Sequence, residues 1–126
     1  MLKITYLEDG IYLESLQQPV EAWKNTRILV SLRATANIYT EPSTACIVLP
    51  VNIDYLTKLA ELEARGHIEI SLCDEEYMEI SLAGTWMAQS SDSEAGVFVC
   101  ELDSSSEYFL AQIWQECQIA ASAISE

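Results

Sequence analysis

Two near-copies, HIEISL at residues 67–72 and YMEISL at 77–82, flank the short run Cys73-Asp74-Glu75-Glu76. Alternating apolar and polar residues on both sides of a polar turn specify a β-hairpin, because successive strand side chains leave on opposite faces. Pairing Ile70 with Ile80 puts Ile68, Ile70, Leu72, Met78, Ile80 and Leu82 on one apolar face. Glu69, Ser71, Tyr77, Glu79 and Ser81 then occupy the other. A slip of one residue would turn the apolar set into water, so this register is strongly specified. The apolar face also demands a second layer to cover it.

The same pattern recurs elsewhere. KITYLEDGIYLESL reads as an opening hairpin with Asp9-Gly10 at its turn. TWMAQ and VFVCEL read as a second pair joined by the polar SSDSEAG. RILVSLRA and ACIVLPV are dense strand-type runs, and TANIYTEPST between them reads as loop, with Pro42 disfavouring a central strand. Two segments carry helical spacing. NIDYLTKLAELEARG places Leu56, Leu59 and Ala60 on one face, with Asn52 as N-cap, a Glu61–Arg65 pair and Gly66 as the stop. SSSEYFLAQIWQECQIAASAIS opens on a Ser104/Glu107 capping box and buries Leu110, Ile113, Trp114, Cys117 and Ala121. The expected fold class is α+β: a mostly antiparallel sheet of hairpins with two helices, one central and one C-terminal. With 126 residues, 50% of them hydrophobic, the chain is read as one acidic domain over residues 1–126.

Charge is distributed unevenly. All six Lys and Arg residues lie within residues 1–65, against eight acids. From Gly66 to Glu126 there are twelve acids and no Lys or Arg. Such a field repels nucleic acid and anionic membrane and attracts cations and basic protein surfaces. No stretch reaches the roughly 18 consecutive apolar residues of a membrane span. The N-terminus lacks a signal-peptide pattern, so the expected location is the cytoplasm. There Cys46, Cys73, Cys100 and Cys117 are expected as free thiols, most of them apolar filler, with Cys73 set apart by its acidic neighbours. Trp23, Trp86 and Trp114 are expected in the core, Trp114 on the apolar stripe of its helix.

The acids themselves need an explanation. In the proposed register Glu69 is a diagonal neighbour of Glu79, roughly 7–8 Å away. Two carboxylates at that distance repel by about 0.6 kcal/mol in water and about 2 kcal/mol at an effective dielectric of 20. Either water and salt screen the repulsion, or something positive sits there. Ca²⁺ accepts six to eight oxygens in flexible geometry and fits carboxylates at hairpin tips. The candidate ligands are Asp74, Glu75, Glu76 and Glu79 at the first tip, with Asp92, Glu94, Glu101 and Asp103 around the second. Asn37 and Glu41 form a further oxygen-bearing stretch. An EF-hand does not fit: Asp92, Glu94 and Asp103 fall at offsets 1, 3 and 12, but the offset that needs Gly is Val97.

Size, overall acidity and the absence of an EF-hand make the chain similar to the cyanobacterial calcium-binding regulators linked to heterocyst differentiation. DEEYME and SDSEAGVFVCELD are the stretches to compare. The resemblance implies a cytosolic Ca²⁺ buffer or sensor that binds ions on an acidic surface. The alternative is an inhibitor- or immunity-type module that masks a basic protein surface, with Tyr77 or Trp86 as anchors. No enzyme is expected. His67 is the only histidine, so nucleophile–base pairs are scarce, and no phosphate-cradling glycine loop is present.

Overall fold

A computed structural model of the chain describes residues 1–34, 37–90 and 93–125, with side chains through residue 117. The opening hairpin forms as expected: β1 (Leu2–Leu7) and β2 (Gly10–Ser15) pair with Ile4 opposite Leu13. Next come helix α1 (Val20–Arg33), strand β3 (Tyr39–Pro50) and helix α2 (Leu56–Ala64). They are followed by β4 (Glu69–Leu72), β5 (Tyr77–Ala88), β6 (Gly96–Cys100) and helix α3 (Ser104–Ser125). The six strands make one antiparallel sheet in the order β2-β1-β6-β5-β3, with β4 also on β5.

The long strand β5 organises the sheet. β3 pairs along its whole length, while β4 takes residues 78–81 and β6 takes residues 85–87. The register Ile70↔Ile80 is the one that the alternation specifies. Where β6 takes over from β4, Gly84 lets the chains approach: a Cβ there would lie 2.3 Å from the Val99 carbonyl oxygen. No side chain fits that space.

Period two divides the residues between two layers. Leu2, Ile4, Leu13, Ile47, Leu49, Met78, Ile80, Leu82 and Phe98 pack against Leu59 and Leu62 of α2 and Phe109, Leu110 and Ile113 of α3. Complete burial of a side chain such as Leu110 contributes about 1.5–3 kcal/mol. On the opposite face Met87, Val99 and Met1 pack with Trp23 of α1. Along the core face of β4–β5, burial fails at one end: Ile68 is buried, but Leu72, expected inside, is 76% exposed.

Among the described residues there are three helices rather than two, and the additional one, α1, corrects the reading of RILVSLRA as a strand. In α1 Trp23 and Ile28 face the sheet, while Leu29, Val30 and Leu32 stay in water. Apolar residues on two sides of a helix erase the 3.6-residue signal, so the segment mimics a strand. β3 corrects the loop reading of TANIYTEPST: it begins at Tyr39 and contains Pro42, which an edge strand tolerates.

The central helix starts at Leu56, after Tyr55, with no side-chain cap from Asn52. It buries Leu59 and Leu62, three apart, while Leu56 and Ala60 face out. Its end follows the sequence. Gly66 has φ +79°, and the Gly66 and His67 N–H groups donate to the carbonyls of Glu63 and Leu62.

Candidate functional site

The β4–β5 tip is a built turn rather than a loose acidic loop. Asp74 Oδ1 accepts the N–H groups of Glu76 at 2.7 Å and Tyr77 at 2.9 Å. The Cys73 N–H donates to the Tyr77 carbonyl, and the Val51 N–H donates to that of Glu76, tying the tip to the end of β3. One short side chain thus satisfies two donors, which is the usual work of Asp at a turn. Asp74 therefore faces its own backbone, and Glu75 and Glu76 face water. Glu79 lies on the strand opposite Ser71 and Val48. Leu72 and Tyr77 flank the acids and are 76% and 44% exposed.

Glu101 and Asp103 diverge. They lie beyond β6 and serve helices on opposite sides of the sheet. Glu101 Oε1 accepts the Val20 N–H at 2.9 Å, at the N-terminus of α1. Asp103 Oδ1 accepts the Ser106 N–H and the Ser105 hydroxyl, and Oδ2 accepts the Ser106 hydroxyl, each at 2.8 Å. Those hydrogen bonds hold the Asp103 carboxyl well below the usual aspartate range, led by the Ser105 hydroxyl and then Ser106. Arg65 and His67 approach the same carboxylate at 3.5 and 3.6 Å, so Arg65 serves Asp103 in place of the expected Glu61. Both acids stabilise helix N-termini, where unpaired N–H groups and the helix dipole favour negative charge.

Asp103 also displaces the expected capping box by one residue. Glu107, freed from that role, is buried. It accepts the Leu102 N–H at 2.8 Å and pairs with the Met1 α-ammonium at 3.1 Å. Of the remaining candidates, Glu94 is exposed and Asp92 lies outside the described residues. Glu41 accepts the Tyr39 hydroxyl at 2.7 Å. Among the described residues no three His, Cys, Asp or Glu side chains converge into a group that could hold a metal.

A family model described as Alr0857-like matches residues 1–118. The chain belongs to the Alr0857-like family. That name is a cyanobacterial one, which accords with the resemblance drawn from size and acidity, but nothing in the match concerns calcium or differentiation. No curated protein and no solved structure matches the chain. Among its described residues no helix is long and apolar enough to cross a membrane.

Sequence patterns did not reveal two charged arrangements of this Alr0857-like chain. One is the Met1–Glu107 pair, which joins residues 106 positions apart. The other surrounds Trp23, which is 7% exposed: Arg27 and Lys3 lie 5.1 and 5.9 Å from its ring centroid. The i, i+4 spacing of Trp23 and Arg27 was a usable signal once the segment is known to be helical. The thiols divide as well. Cys46 is exposed, with Sγ 3.5 Å from Ser81 Oγ, and so is not the apolar filler expected of it. Cys73 is exposed at the tip, and Cys100 is buried.

Proposed function

We propose that this chain is a non-catalytic protein-binding module whose β4–β5 tip docks on a basic surface of another protein. The observation that carries the reading is a turn held by Asp74 that presents Glu75 and Glu76 between exposed Leu72 on one hairpin face and exposed Tyr77 on the other. Interfaces draw their affinity from a few apolar or aromatic anchors, and complementary charge supplies steering and orientation. A half-chain of twelve acids without Lys or Arg provides the steering field.

The test is affinity capture followed by reconstitution from two purified proteins. Leu72→Ser with Tyr77→Ser leaves the charge unchanged and should weaken the reconstituted complex at least tenfold. Glu75→Gln with Glu76→Gln should slow association and flatten its salt dependence. A complex indifferent to the first pair of substitutions would move the interface elsewhere.

A second reading, a Ca²⁺ buffer or sensor on surface carboxylates, is favoured by one observation. The side-chain carboxylates of Glu75, Glu76 and Glu79 have no hydrogen-bond or ion-pair partner among the described residues. Flexible carboxylates should prefer Ca²⁺ to Mg²⁺, which requires near-ideal octahedral geometry. Isothermal titration with both ions decides it. Equal, weak heats at millimolar ion would mean diffuse screening and end the calcium reading.

A further inference from the structure

We propose that the groove over Trp23 binds a small organic monocarboxylate through Arg27 and Lys3. The groove lies between α1 and the outer face of β1, β5 and β6, and its volume is about 590 Å³. It is a local inversion of the chain's charge. Only six Lys and Arg residues stand against twenty acids, yet two of the six line this groove, and none of its described lining residues is acidic.

The two cations differ in how far they are compensated. Lys3 Nζ has Glu14 Oε1 at 3.8 Å, and its side chain is 17% exposed. The Arg27 guanidinium lies over Trp23 and has no carboxylate partner among the described residues. A guanidinium stacked on an aromatic ring keeps its planar fork of donors free for an oxyanion. Lys3, paired with Glu14, adds attraction without a second uncompensated charge.

That balance sets the ligand's charge. One uncompensated cation matches one carboxylate, and each additional negative charge must enter the field of a chain with net charge −14. Met87 and Val97 supply an apolar wall beside the Trp23 ring, suited to a flat or aliphatic body. Asn37 and Gln89 contribute amides at the rim. A few polar groups converging on an apolar hollow are the usual make-up of a small-molecule site. This site is separate from the β4–β5 tip, so its failure and that of the docking reading are distinguishable.

The test is NMR titration with benzoate, observing the Trp23 indole N–H, assigned through Trp23→Phe. Saturable shifts confined to that resonance and to Met87 and Val97 methyls are expected. Benzamide, the uncharged analogue, should bind at least tenfold more weakly, and so should benzoate to Arg27→Met. Unmoved Trp86 and Trp114 resonances establish that this exposed substitution leaves the fold intact, and Arg27→Gln provides a second variant. Equal binding of benzamide, undiminished binding to both variants, or no saturable shift at tens of millimolar benzoate would each overturn the proposal. Tighter binding of phenyl phosphate than of benzoate would overturn the monocarboxylate assignment.

Discussion

The α-ammonium of Met1 lies 3.1 Å from Oε1 of Glu107, and both side chains are buried. The same ammonium donates to the carbonyls of Leu16 at 2.8 Å and Gln18 at 3.2 Å. It thereby joins the start of β1, the end of β2 and the first turn of α3. Removing one member of a buried ion pair leaves the other without compensation, at a cost of about 3–5 kcal/mol. Glu107→Gln should therefore lower the urea midpoint by a corresponding amount. Acetylation of the α-amine should cost comparably, and an unchanged midpoint in both cases would mean that water already solvates the pair.

Asp103 should govern the acid limb of stability. Its carboxyl titrates below the ordinary aspartate value of 3.8, because Ser105 and Ser106 hydrogen-bond the charged form. The contribution is fully present above the unfolded-state value and is lost as pH falls from about 4 through the lower folded-state value. Melting curves of wild type and Asp103→Asn should differ most at neutral pH and converge below pH 4. A gap that widens in acid would contradict that assignment.

The thiols should react in two classes. Burial pushes the Cys100 thiol up to about 12, with the Glu107 charge adding to the effect, so little thiolate exists at neutral pH. Cys46 and Cys73 are exposed. Maleimide labelling followed by intact mass analysis should modify those two first and reach Cys100 only with unfolding. Rapid labelling of Cys100 in buffer would reveal local opening around β6.

Gly84→Ala should destabilise by about 1–3 kcal/mol, as overpacking does. The added methyl would meet the Val99 carbonyl oxygen, Phe98 Cζ and Cys100 Cβ, all within 3 Å. Backbone cannot step aside as a flexible side chain can. Equilibrium unfolding in urea measures the loss, and a neutral result would place β6 farther from β5.

The legible parts of the fold were those with local causes. Ile70 faces Ile80 because two alternating runs share one short turn, and Gly66 ends α2 because few other residues adopt φ near +79°. The acidic tip was legible as a charge pattern, yet the inward role of Asp74 and the exposure of Leu72 were not. Asp74 answers to two backbone N–H groups that converge on its carboxylate only once the turn has closed. Leu72 has the right period for the core but lies beyond the end of its cover.

What the sequence determined by itself, then, was strand alternation, hairpin register, the α+β class and the sign of the surface charge. Alternation and register follow from residues within a few positions of one another, where side-chain direction is set by backbone geometry, and the class and the charge from composition along the chain. Tertiary structure decided the rest. The segment around Trp23 is a helix that packs on Met87 and Val99. Glu101 reaches across 81 positions to the start of α1 and so parts from Asp103, whose own partners Ser105 and Ser106 are local. Glu107 found its cation at residue 1. A carboxylate goes to whichever unsatisfied N–H or ammonium the assembled chain brings near it, and spacing along the sequence does not encode that distance.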